Sequence, residues 1–330
     1  MIFATLDENG RDGTLLVVNR ARTRAVRAGS VAPTLQNLLD HWDEKRPQLL
    51  GLRDRLEAGS AEGAFELAGR HLLAPLPRSY QFLDGSAYPE HMSVIRKARG
   101  AKMPDDFFEK PLMYQGLSDN VVGPTDPILL AEDEAFGVDI EAEIVVITGD
   151  VPQGVPVGQA SQYIRLFGLL NDISLRGLIP PELGRGFGFL QGKSASSMGP
   201  FAVTPDEVGD LWDGKLLSGR YLCHIRGELL GDLEPGIDAA FNYPQLIAHA
   251  TRTRSLVAGT IIGAGALANK DRKHGSGCIA EARAREQLSD GAPRTAYLKF
   301  GEDMRLEMLD RQGKSIFGVI HQRLQKSQPV

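Results

Sequence analysis

The stretch VDIEAEIVVITGD, residues 138–150, decides how the chain is read. In it Asp139, Glu141 and Glu143 alternate with Ile140, Ala142 and Ile144. A period of two is the period of a strand, so the three acids are expected on one face and the apolar residues on the other. Side chains two residues apart on a strand stand roughly 6.5–7 Å from each other. Three carboxylates in such a row repel one another, and burying them is costly unless a cation compensates. The plain alternative is a solvent-facing edge strand whose acids discourage aggregation. Val145, Val146 and Ile147 follow directly and suit a buried strand. The acid face is therefore expected to open on a cavity, where an all-oxygen set suits Mg²⁺ or Ca²⁺.

Outward from this strand, more strands are expected. IRLFGLLNDIS (164–174) is a buried-type run, and YLCHIRGELLGD (221–232) contains a hairpin-like Arg-Gly step. GTIIG (259–263) reads as a strand after a helix over 242–254, and LEMLDRQGKSIFGVI (306–320) closes the chain as a hairpin. At the other end, residues 2–6 and 14–19 read as two strands joined by a turn at Asn9-Gly10. A helix over 34–44 carries Leu35, Leu38, Leu39 and Trp42 on one face. Pro47 is expected to break it before a second helical stretch with Leu50, Leu52 and Leu56. LLAPLPRS (72–79) reads as a linker, and 89–99 as a short helix opened by proline. The fold class is α+β: a small N-terminal unit, 1–75, then a β-rich unit, 76–330.

Composition narrows the function classes. At 330 residues, with 42% hydrophobic and 24% charged residues, the chain has ordinary globular proportions. A net charge of −5 argues against a nucleic-acid partner. Cys223 and Cys278 are too few for a disulfide framework or a cysteine-based zinc site. No apolar run is long enough to span a membrane, and the acidic N-terminal segment does not resemble a signal peptide. The expectation is a cytoplasmic protein.

GFGFLQGKS, residues 186–194, looks like a phosphate-binding loop, but the pattern requires a glycine where Phe187 stands. Gly199-Pro200 also leaves little room for the helix that such a loop needs. Lys193 is then either a solvated surface lysine or a cation placed for some other anion.

Several separated motifs together resemble the fumarylacetoacetate hydrolase family over nearly the whole chain. They are Asp84 seven residues ahead of His91 in DGSAYPEH, Glu141-Ala142-Glu143, NDISLRGLIP (171–180), the Gly-Lys-Ser around Lys193, and GTIIG and GSGCIAE near the end. The resemblance implies a small N-terminal domain followed by a β-rich roll, commonly as a homodimer. It implies Asp84, Glu141, Glu143 and Asp172 as ligands of a divalent cation, Mg²⁺ or Ca²⁺ with Mn²⁺ as a variant. His91 would be the general base oriented by Glu281, and Lys193 and Arg176 would face developing negative charge. Tyr114 and Thr260 match positions that contact substrate oxygens. The implied substrate is a small 2,4-diketo acid, foremost fumarylacetoacetate in aromatic amino-acid breakdown. Decarboxylation or tautomerisation of oxaloacetate-type acids, and dienoate hydration, use the same ligands. Ser86 and Ile179 depart from the animal enzymes' pattern, which bears on the substrate more than on the reaction type. A non-catalytic metal- or metabolite-binding module is the reading of a different class.

Overall fold

The structure, a computed structural model, describes residues 1–328; residues 329 and 330, assigned above to the β-rich unit, lie outside it. One twelve-stranded sheet forms the frame. Its path runs Phe65–Glu66, Arg24–Arg27, Thr14–Val18, Ile2–Leu6, Ala202–Val203, Ile164–Asn171, Ala142–Thr148, Thr260–Gly263, Gln81–Gly85 and Met113–Gly116, with Ser197–Met198 and Leu72–Leu73 paired to it off the path. Neighbours along it are antiparallel except Thr260–Gly263 beside Gln81–Gly85. The N-terminal strands are thus continuous with the rest, through Ile2 opposite Val203 and Phe3 opposite Ala202. A second, five-stranded sheet joins the hairpins of residues 220–233 and 303–326 to Ile128–Leu130. Both hairpins lie where the sequence placed them.

All seven residues of Ala142–Thr148 are buried. Ile144 and Val146 pack into one apolar core with Phe167 and Leu169. Val145 and Ile147 face a second core, which includes Met1, Phe3, Leu35 and Leu38. The strand is covered on both sides, which is why its sequence is a continuous apolar run beyond Glu143.

Three local expectations differ from the structure. The acid-bearing strand is not continuous: Val138–Asp139 pairs with Ser174–Leu175, whereas Ala142–Thr148 pairs with Ile164–Asn171. Between them the Glu141 N–H donates to Asn171 Oδ1 at 3.2 Å. Period two holds only within one ladder, so Asp139 leaves the row of acids. Pro47 does not break its helix either; it sits exposed inside Trp42–Glu57, and the interruption falls at His41. The buried Leu49 and Leu56 anchor that helix against the sheet despite the missing N–H. Within the expected linker, Leu72–Leu73 form a short strand against Thr5 and Leu6.

Candidate active site

The site lies where five strands meet the first turns of two helices. Asp84 is opposite Gly263 on one side and Tyr114 on the other. Glu143 stands near the start of the central buried strand, and Asp172 follows the end of its neighbour Ile164–Asn171. Asp84, Glu143 and Asp172 each offer an oxygen within 4.8 Å of the others, and all three residues are buried. Gly263 makes this approach feasible, because a Cβ there would fall 2.4 Å from Asp84 Oδ1 and 2.8 Å from Glu143 Oε2.

Glu141, the fourth expected ligand, is engaged by cations. Arg176 Nη2 donates to its Oε1 at 2.7 Å, and Lys193 Nζ to its Oε2 at 2.5 Å. The same ammonium donates to Asp172 Oδ2 at 2.6 Å and Ser174 Oγ at 2.7 Å. Lys193 is thus buried, not solvated, and ties Glu141 to the carboxylate trio. An isolated bridge between Ser174 and Lys193 fixes its backbone. Tyr114 Oη donates to Asp172 Oδ2 at 2.5 Å and Ser196 Oγ to its Oδ1 at 2.6 Å.

The electrostatics follow from burial and crowding. Burial, then the Asp172 charge, push the Asp84 carboxyl up to about 8. Burial, with Asp84 and Asp172 adding to it, pushes Glu143 well above the carboxylate range. For Glu141, burial acts upward but Lys193 and Arg176 together hold it below its ordinary value. Burial would lower Lys193, yet Asp172 and Glu141 keep it above the usual lysine value. Both Glu143 oxygens are buried without a hydrogen-bond partner. Unpartnered carboxylate oxygens, an all-oxygen donor set and the room left by Gly263 fit a hard divalent cation held by Asp84, Glu143 and Asp172, with Glu141 alongside.

His91 and Glu281 come from two helices packed on each other, Pro89–Ala98 and Ile279–Asp290. His91 Nδ1 is 3.5 Å from Glu281 Oε2. Arg285, one turn on, donates from Nε to Glu281 Oε1 at 2.9 Å, and its Nη2 lies 3.7 Å from Glu90 Oε1. Asp139 anchors the glutamate's helix: it accepts from the N–H groups of Ile279 at 2.6 Å and Ala280 at 2.9 Å, and from Arg176 Nε at 2.7 Å. A carboxylate at a helix N-terminus is favourably placed. Arg176 is therefore a clamp between Asp139 and Glu141.

Thr260 is not brought to this cluster. Its hydroxyl donates to the Val257 carbonyl at 2.8 Å, and it stands opposite Gln81, three positions before Gly263. Nearer the carboxylates on the same segment, Gly265 N–H donates to Asp84 Oδ1 at 3.1 Å. Sequence reasoning also missed Ser174, Ser196 and Arg285; of these only Arg285 carried a signal, as the helical i+4 partner of Glu281.

A cleft of about 870 Å³ opens beside the site. Tyr114 and Lys193 line it together with Phe187, Phe189, His249 and Arg254. Phe189 packs edge-on against the Tyr114 ring at 4.9 Å between centroids. The glycines of GFGFLQGKS thus belong to a loop on this cleft, with Gly186 in the left-handed conformation ending the helix Ile179–Arg185.

Comparison with known proteins agrees with this architecture. The model of the fumarylacetoacetate hydrolase C-terminal domain matches residues 81–325, and that of fumarylacetoacetase N-terminal domain 2 matches residues 1–78. The chain belongs to the fumarylacetoacetate hydrolase family. Among curated relatives, it is 25% identical to the oxaloacetate tautomerase Fahd2a of Rattus norvegicus over 63% of this chain and 66% of that protein. It is 32% identical to a 2,4-didehydro-3-deoxy-L-rhamnonate hydrolase of Sphingomonas sp. (strain SKA58), over 32% of this chain and 36% of that one. The chain thus spans about one third to two thirds of the length of these relatives. The fold is shared with maleylpyruvate hydrolase from Sphingobium sp. SYK-6, solved with manganese(II) and pyruvate: TM-score 0.66, 18% identity, 99% of this chain and 100% of that one. Among the described residues no helix is long and apolar enough to cross a membrane.

Proposed function

We propose that this enzyme is a metal-dependent hydrolase that cleaves the carbon–carbon bond of a 2,4-diketo acid, with fumarylacetoacetate or a shorter acylpyruvate as substrate. The observation that carries the reading is the His91–Glu281 pair, 3.5 Å apart, beside a buried trio of carboxylates. Asp84, Glu143 and Asp172, with Glu141, would hold Mg²⁺, Ca²⁺ or Mn²⁺. Such a cation supplies Lewis-acid polarisation of a substrate carbonyl.

The remaining work belongs to side chains of this chain. His91 takes a proton from water, and Glu281 stabilises the imidazolium that forms. The water oxygen bonds to one carbonyl carbon, and the bond from that carbon to the methylene between the two carbonyls breaks. The electron pair leaves as an enolate, and the proton on His91 returns to its carbon. Lys193 is the fixed cation nearest the carboxylates and offsets the enolate charge. Tyr114 and Arg176 hold Asp172 and Glu141 in place while this happens. The cleft beside Lys193 and Tyr114 has room for a substrate longer than a four-carbon acid.

The test is purified protein with Mg²⁺ and, in turn, fumarylacetoacetate and a series of acylpyruvates. Loss of the diketone absorbance on one of them is expected, and its persistence on all of them refutes the reading. The broader curated match to an oxaloacetate tautomerase favours a second reading, keto–enol exchange of oxaloacetate. That reaction needs no attacking water, so a His91→Ala variant with undiminished turnover would select it.

A further inference from the structure

The loop that looks like a phosphate cradle does wrap an anion, and that anion is a carboxylate of the same chain. Glu182 lies on the helix Ile179–Arg185, which leads into the loop. Its Oε1 accepts from the N–H groups of Leu190 at 3.1 Å and Gln191 at 2.8 Å. Its Oε2 accepts from Leu190 at 3.2 Å and Gly192 at 2.8 Å. Successive N–H groups converging on one carboxylate form an anion-binding nest. These bonds, the one from Gln191 foremost, hold the Glu182 carboxyl below its ordinary value. Gly192 leaves room for the nest: a Cβ on it would fall 2.9 Å from Glu182 Oε2 and 2.7 Å from Ile179 Cγ1.

The nest stands at one end of the stretch that walls the cleft. Beyond it the chain is anchored independently, because the Gly192 carbonyl accepts from the Leu175 N–H at 2.8 Å and Lys193 is bridged to Ser174. Before it, among the described residues, Phe187, Gly188 and Phe189 make no backbone–backbone hydrogen bond. Phe187 and Leu190 are exposed, and Phe189 rests on Tyr114, whose hydroxyl donates to Asp172. All four of these side chains line the cleft. The bonds from the nest to Glu182 therefore tie this wall back to its own helix, and bonds of N–H to an ionised carboxylate are about twice as strong as neutral ones.

We infer that Glu182 is a positioning residue of this site: by filling the nest at residues 190–192, it holds residues 187–190 in place as the cleft wall, with Phe189 on Tyr114. Without that carboxylate the wall loosens between its two anchored ends. The kinetic consequence rests on the proposed hydrolysis. A loosened wall weakens the hold on the part of the substrate that lies in the cleft, while the carboxylates, His91 and Glu281 stay where they are. The latch itself does not depend on that reading and needs no substrate to observe.

Limited proteolysis with chymotrypsin reads the latch, because Phe187, Phe189 and Leu190 are cleavage sites within the wall. In Glu182→Ala, cleavage at these three residues is expected to be about tenfold faster than in the unaltered protein, as the open form becomes more populated. Glu182→Gln, which keeps one acceptor oxygen, should fall between the two. Acetate, which replaces the missing carboxylate, should slow cleavage of Glu182→Ala and leave the unaltered protein unaffected. Cleavage of Glu182→Ala at the unaltered rate overturns the inference. On a substrate that turns over, Glu182→Ala should raise KM by a larger factor than it lowers kcat. Faster cleavage with KM unchanged overturns the role in substrate binding. If no diketo acid turns over, the proposed hydrolysis fails, and proteolysis still decides the latch.

Discussion

Glu281 Oε2 stands 3.5 Å from His91 Nδ1, while the other oxygen of the same carboxylate is held by Arg285. One side of the glutamate is thus fixed and the other is directed at the imidazole. A base oriented in this way typically contributes about 10²–10⁴-fold to rate. His91→Ala is expected to lower kcat by that order, and Glu281→Gln by somewhat less, with KM changed little. Steady-state kinetics on the substrate that turns over checks both. Arg285→Lys should act through Glu281, lowering kcat while leaving cation affinity unaltered.

Removing one member of the carboxylate trio should separate stability from metal binding. Glu143 is buried and repelled by Asp84 and Asp172. Without divalent cation, Glu143→Gln is expected to melt at or above the temperature of the unaltered protein. With Mg²⁺ the order reverses: at a concentration a hundred times Kd, the unaltered protein gains about 2.7 kcal/mol, which the variant lacks. Thermal melts with EDTA and with Mg²⁺ give the comparison directly.

Cation binding should depend on pH with a definite sign. Asp84 is pushed up to about 8 by burial and by Asp172, so it is protonated below that pH. A metal takes only the ionised form, so binding releases protons and affinity falls as pH falls below about 8. Calorimetric titration with Mg²⁺ in two buffers of different ionisation enthalpy should show proton release at pH 7.

A second pH effect lies far from the site. His71 Nε2 is 2.6 Å from Asp126 Oδ1 and its Nδ1 is 2.9 Å from Asp7 Oδ2, joining the end of the first strand to the larger unit. Hydrogen bonds to Asp126 and then Asp7 raise its pKa above the ordinary 6.5. A raised histidine adds stability that is fully present below 6.5 and is lost as pH rises through the folded-state value. The ring is half exposed, so solvent screening limits the effect to about 1 kcal/mol or less. His71→Gln should therefore lower the melting temperature at pH 6 and leave it unchanged at pH 9.

Much of this site is legible in the sequence, because its chemistry uses residues whose local pattern is unusual. Glu141 and Glu143 beside a continuous apolar run signalled buried acids, and the Asp84–His91 spacing spans a strand end and the first turn of the following helix. What escaped depends on register and chain breaks, which alternation does not encode. Asp139 looked like a third member of the acid row until the ladder changed partner at Ile140 and Glu141. On the segment that carries Thr260, the parallel pairing places Gly263, three residues further on, beside Asp84. A glycine that matters because it lacks a Cβ leaves no chemical mark in the sequence. Pro47 misled for a related reason: tertiary burial of Leu49 and Leu56 outweighs a local helix-breaking preference.

The central claim is hydrolysis across a carbon–carbon bond, and isotopically labelled water tests it most directly. With Mg²⁺ and a 2,4-diketo acid in H₂¹⁸O, two acids should form, with one solvent oxygen in the newly made carboxylate. Recovery of intact substrate with no cleavage products and no new ¹⁸O-labelled carboxylate would contradict the account.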